Sequence, residues 1–527
     1  MARMPLALGC ALLVLSAFSA SPARAQIMLI GDALPLCSSM HPERCRDVPD
    51  WPEQAMTESR YRIERSRIVR WALDQELKMD RADIDRWTQS LLSLVEDDPS
   101  DLSTAEFVSA IARAQLESQD RVASGRAEDF WAGIDPAVRH GLLDFFQAPQ
   151  PEHHPLISLE HSADRAAVAA LTRFVELASR VGADRRPLIA VSTAAARDPY
   201  ADLPCLRQAF EQAGADVVWL PLDAAVRRAR SEENCLDLAR YQALELGSHD
   251  RRRHAPGSFT EQLVFCLDRN AGLEMVASID GLFLDDGDAD RLAMAFRNAS
   301  GHATAELEVL RRRLGDRNLV VGGAGMGAVV LATDRLGLTP FNEFLTANTR
   351  PRDRALLAQR MVQRQARFGL GIDESSSLIV ETLPDRPGYR LEADGHSGIW
   401  LLDQGPEPDA DPSDAAGKAV VMRWLAAGES MLFDPDTGLF AEPLVLPTYE
   451  DRNCRSLDET TASRVLRRSS PEVPGDAISC YRQALAGDGK ADWLLGTRAG
   501  SAGSAADLVL VIRAGSVVTT TAPDRDQ

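Results

Sequence analysis

The residues Gly323-Ala324-Gly325-Met326-Gly327 stand between an apolar strand, Leu319-Val320-Val321, and an apolar helix start, Ala328-Val329-Val330-Leu331. Glycines on both sides of such a junction let the backbone make a strained strand-to-helix turn. That turn lifts the central side chain above the sheet, which is the geometry of a nucleophile elbow in acyl transfer. The chemistry calls for Ser or Cys at the centre. Gly325 holds the position and offers no atom to attack with.

Other clusters carry weaker chemistry. Asp285-Asp286-Gly287-Asp288 with Asp290 invites a calcium loop, but the EF-hand spacing and terminal Glu are missing, so a structural acidic turn is expected. Ser375-Ser376-Ser377 after Asp373-Glu374 reads as a turn whose hydroxyls bond local backbone. His302 and His396 are candidate bases in solvated turns. His153, His154 and His161 fall in a Pro-rich linker without a carboxylate or Cys at ligand spacing. Arg251-Arg252-Arg253 reads as a solvated loop in an acidic chain. No metal or cofactor is expected.

These residues need a scaffold, and the pattern supplies one. Short apolar strands at Gln26–Gly31, Pro187–Ser192, Asp216–Leu220, Gly281–Leu284 and Leu319–Val321 alternate with amphipathic helices. Such alternation predicts an α/β fold with a mostly parallel sheet flanked by helices, whose ligands sit at the carboxyl ends of the strands. The loops after Ser192, Leu284 and Val321 point to that edge. Asp50 to Gln147 is strongly helical, with a capping box at Ser103-Thr104-Ala105-Glu106 and a helix start at Asp135-Pro136. Tyr389 to Leu402 reads as a hairpin, and the tail as β-rich. The expected layout is a leader at 1–25 and a first strand and loop at 26–47. A helical insertion at 48–150, an α/β domain at 151–435 and an extension at 436–527 follow.

The chain has 527 residues, 45% hydrophobic and 26% charged, with a formal charge of -20. An acidic chain of this kind does not fit nucleic acid, which needs a basic face. Arg3, the apolar run Leu6 to Phe18, and Ala23-Arg24-Ala25 before Gln26 read as a secretory signal, too short to span a membrane. Export to a periplasmic or extracellular space makes disulfides the default for the seven remaining cysteines. Neighbours in sequence pair as Cys37–Cys45, Cys205–Cys235 and Cys454–Cys480, leaving Cys266 as a buried thiol. Spacing alone does not fix that connectivity.

Three stretches resemble the cyanophycinase-like serine peptidases, which share a class I glutamine amidotransferase-like fold. Gly281 to Leu292, G-L-F-L-D-D-G-D-A-D-R-L, is similar to the family's strand ending in G-G-D-Q. Gly322 to Ala328, G-G-A-G-M-G-A, is similar to its G-G-T-S-A-G-A elbow. Phe368 to Val380 is similar to its G-I-D-E segment. The resemblance implies that Gly325 stands at the nucleophile position. Thr346, or Asn348 in a shifted alignment, stands at the base position. Asp286 replaces the glycine whose N–H serves the oxyanion. Neither Thr nor Asn is a base near neutral pH, and a carboxylate at Asp286 would repel a developing oxyanion.

The resemblance therefore implies a catalytically degenerate peptidase homologue that binds a peptide or protein. Asp286, Gly287, Asp288, Arg291, Gly323, Met326 and Glu374 would form the pocket edge. Two alternatives stand beside it: an active peptidase on aspartyl dipeptides with a relocated nucleophile, and a secreted structural or interaction protein. The sequence leaves the oligomeric state open, a dimer included.

Overall fold

The computed structural model describes residues 26–438 apart from 75–78, 96–100, 119–126, 151, 183–184, 299, 334, 347–350, 384–385, 397 and 405–417. Beyond 438 it describes the strands at 455–456, 479–484, 490–495 and 507–513. The chain folds around an eight-stranded sheet. Its strands are β1 (Gln26–Ile30), β2 (Leu188–Ser192), β3 (Asp216–Trp219), β4 (Gly281–Leu284), β5 (Val320–Ala324), β6 (Ser376–Thr382), β7 (Tyr389–Gly395) and β8 (Ser430–Phe433). They lie in the order β8-β7-β6-β1-β5-β4-β2-β3. The run from β1 to β3 is parallel, and β6, β7 and β8 add an antiparallel flank. The expected α/β fold with a mostly parallel sheet is therefore the observed one.

Strands β1, β4 and β5 are buried along their whole length, as continuous apolar runs under helices on both faces should be. The Arg165–Gly182 helix lays Phe174 on the sheet, where it meets Phe210 and Phe283 edge to face at centroid distances of 5.9 and 5.4 Å. The contact is close because Gly322 leaves room: a Cβ there would lie 2.5 Å from the Phe174 ring.

A second sheet joins Glu343–Thr346, Phe368–Ile372, Ile399–Asp403 and Lys418–Leu425 to the C-terminal strands through Asp507–Arg513. The expected hairpin from Tyr389 to Leu402 is corrected here. Tyr389–Gly395 belongs to the first sheet and Ile399–Asp403 to the second. Gly395 and Gly398, both with positive φ, turn the chain out of one sheet and into the other. Two alternating strands beside a Gly-rich turn look like a hairpin in sequence, because alternation reports burial of a face and not the partner.

Between β1 and β2 the chain builds a separate apolar cluster from Tyr61, Ile68, Trp71, Leu91, Phe107, Ile111, Leu142 and Phe146. Its helix starts are those the sequence marks. Glu106 accepts from the Ser103 N–H at 2.8 Å, and Asp135 accepts from the Ala137 N–H at 2.8 Å. No helix of the described residues is long and apolar enough to cross a membrane.

Among the described residues two disulfides are present. Cys37–Cys45 is one of the expected pairs. Cys235 bonds Cys266, not Cys205, across 31 residues, and Cys205 is a free thiol. The correction follows from the chain's path. Cys205 lies on the Leu203–Gln212 helix, whereas Cys235 and Cys266 sit on elements packed side by side between β3 and β4. Cys454 lies outside the described residues, so the Cys454–Cys480 pairing does too.

Candidate functional site

Strand β5 ends at Ala324, and the helix Met326–Ala332 starts two residues on. Gly325 between them has φ 53° and ψ -119°. This is the strained turn of a nucleophile elbow, in a region of backbone space that side chains adopt only at a cost. Gly327 permits the tight approach behind it, since a Cβ there would overlap the Leu284 carbonyl. The elbow geometry is thus complete, without a nucleophile.

The space a nucleophile would use is filled. A Cβ built on Gly325 would overlap the Oδ1 of Asp286 and lie 2.5 Å from its Cγ. That same Oδ1 accepts the Met326 N–H at 2.8 Å. The N–H of the residue after the nucleophile is the one an oxyanion hole uses at such an elbow. It is also one of the unpaired donors at a helix start, where a carboxylate is favourable. Asp286 therefore binds where a reaction oxyanion would bind. The sequence expectation treated Asp286 as a repulsive neighbour; the structure makes it the occupant.

The rest of the acidic loop has structural duties. Asp288 caps the Ala289–Phe296 helix, accepting the Asp290 and Arg291 N–H groups at 2.9 Å each. Its own N–H donates to the Ala195 carbonyl at 2.9 Å, which ties the loop after β4 to the loop after β2. Asp290 pairs with Arg335. Among the described residues no group of three or more His, Cys, Asp or Glu is placed to hold a metal ion. The Asp285 carboxyl is pushed up to about 7, by burial first and then by the charges of Asp202 and Asp286.

The remaining sequence candidates disperse. Gly323 lies against Gly327 at the elbow. Met326 is partly buried and packs on the core. Glu374 is exposed at the start of β6, two strand positions from β5, or about 10 Å at the usual strand spacing. Thr346 ends a strand of the second sheet, paired with Ile372. Asn348 lies outside the described residues. Ser375 sits at φ 57° and donates to the distant Asp164 carboxylate at 2.7 Å rather than to local backbone, while Ser376 Oγ accepts the Gly398 N–H at 3.0 Å, so both hydroxyls have structural partners.

Sequence reasoning missed the groups that cover this edge. Asp144, on the Pro136–Phe146 helix, pairs with Arg197 at 2.7 Å in the loop after β2. Arg251 reaches the other oxygen of Asp144 at 2.9 Å and also pairs with Asp198. Asp144 and Arg251 are 2% and 3% exposed. The expectation of a solvated Arg251–Arg253 loop is corrected: Arg252 alone is exposed, and Arg253 pairs with Asp250 at 2.6 Å and donates to the Gln147 carbonyl at 2.9 Å. His140 beside this network is held down to about 4, by burial and then by the Arg197 charge. His254 is held to about 3, by burial and then by the Arg251 and Arg253 charges. A run of arginines next to histidines in an acidic chain was the available signal.

A comparison with protein-family models gives no match, and neither does one with curated proteins. Among solved structures the chain is similar to a peptidase from an acI-B1 Actinobacterium, at 16% identity over 51% of this chain and 92% of that one, with a TM-score of 0.32. So loose a superposition says nothing about activity.

Proposed function

We propose that this chain is an exported, catalytically degenerate homologue of the cyanophycinase-like peptidases, which binds a peptide or protein and does not hydrolyse it. The observation that carries the reading is the Asp286 carboxylate. It fills the seat beside Gly325 and takes the Met326 N–H at 2.8 Å. A substrate carbonyl would have to displace a charged group from the donor that should stabilise it, with no side chain at the elbow to attack. The three family-like motifs support the family assignment. The two disulfides are compatible with export.

The active-peptidase reading needs a nucleophile elsewhere. Ser158 Oγ lies 2.8 Å from His161 Nδ1, a hydroxyl–imidazole contact between residues three apart in one turn. The test is turnover of a β-aspartyl-arginine polymer together with labelling by a fluorophosphonate. We expect neither for the native chain or for Gly325→Ala. Labelling that persists in Gly325→Ala and disappears in Ser158→Ala would overturn the proposal.

A further inference from the structure

At the opposite end of the central sheet is a cavity of about 130 Å³. Its polar lining is Gln26, Arg173, Arg180, Glu381, Arg390 and Glu392. Register explains the convergence. Glu381 lies opposite both Gln26 and Arg390, and Arg390 and Glu392 are two apart on β7 and share a face. Arg173 and Arg180 are seven apart on the Arg165–Gly182 helix, two turns along one side.

The carboxylates here already have partners. Glu392 holds Arg173 at 3.3 Å, and Glu381 takes the Gln26 amide at 3.4 Å. Arg173 also pairs with Glu176. Arg180 has no hydrogen-bond or ion-pair partner among the described residues, and the contact of Arg390 is a 3.3 Å hydrogen bond to Ser430 Oγ. Three guanidiniums against two carboxylates leave this lining net positive in a chain of formal charge -20. A guanidinium fork matches the paired oxygens of a carboxylate or phosphate.

We infer that the Arg180–Arg390 cavity is a binding site for a small oxyanion, a carboxylate or a phosphate. It is separate from the elbow, because Gln26 opens β1 and Ile30 closes it, about 13 Å away at the usual rise per residue. The cavity's size admits one such group. The site does not depend on whether the elbow binds a peptide.

Calorimetric titration of the purified protein in chloride buffer tests it, with inorganic phosphate in one arm and succinate in the other. We expect saturable one-to-one binding in at least one arm. Arg180→Gln should weaken it about tenfold, the usual scale for one charge-assisted hydrogen bond, and Arg390→Gln should do the same. Arg180 is exposed, so its replacement leaves the fold intact, and circular dichroism checks this. Binding of phosphate alone assigns a tetrahedral ligand, and binding of succinate alone a carboxylate. No saturable heat in either arm at millimolar ligand, or an affinity in both variants unchanged from that of the native protein, would overturn the assignment.

Discussion

The two ends of the central sheet treat charge in opposite ways. At the carboxyl end a carboxylate of the chain itself, Asp286, occupies the N–H that a ligand oxygen would use, and buried ion pairs around Asp144 hold a helix over the same edge. At the amino end guanidiniums from a helix and a strand line a cavity that the chain leaves unfilled. Both places have what oxyanion recognition needs. The difference is commitment: at one end a carboxylate of the chain takes the donor, and at the other Arg180 keeps no partner among the described residues. A family resemblance drawn from motifs directs attention to the first end, while the uncommitted donors are at the second.

The comparison is most easily broken at Asp144. Asp144→Ala leaves Arg251 buried without one of its two counter-ions, and the expected loss is about 3–5 kcal/mol by urea denaturation. A loss no larger than that of an ordinary surface substitution would mean that the carboxyl end is not held closed by this network.

Gly325→Ala comes next. It places a Cβ at φ 53° against Asp286, with an expected cost of about 2–3 kcal/mol. In an Asp286→Gly background the cost should drop by about 1 kcal/mol, since strain remains but the overlap is gone. Equal costs in both backgrounds would show that Asp286 does not fill the seat.

Asp285 sharpens the same end through pH. Its carboxyl is pushed up to about 7 from 3.8. A folded pKa above the unfolded one means its contribution is fully present below 3.8 and is lost as pH rises through 7. Asp285→Asn should therefore exceed the native protein in stability by about 1–2 kcal/mol near pH 8, with the gap closing below about pH 4. A gap that widens in acid has the wrong sign and removes the buried-carboxyl account. The smallest effect belongs to the amino end. Arg180→Gln should leave stability within about 0.5 kcal/mol while weakening anion binding, which separates a ligand site from a structural ion pair.

Much of the scaffold was legible. Continuous apolar runs marked β1, β4 and β5, and glycine spacing marked the elbow, because both signals are local. Capping residues at Ser103 and Asp135 lie within three residues of the donors they satisfy, so sequence shows them directly. What sequence hid was pairing at a distance. Cys235 finds Cys266 rather than Cys205, and Asp144 finds Arg197 and Arg251 over 53 residues or more. Tyr389–Gly395 and Ile399–Asp403 enter different sheets. At the candidate site, Asp286 was visible as an anomaly. Its partner, the Met326 N–H forty residues on, was not, since a backbone donor leaves no mark in composition.

The positive φ at Gly325 ties two distant positions together. With Asp286 in place, a serine cannot enter position 325 without steric conflict. With glycine in place, Asp286 is free to cap the helix. Each residue therefore favours the other, and the two positions are coupled. A side chain at 325 is accommodated only together with a smaller residue at 286.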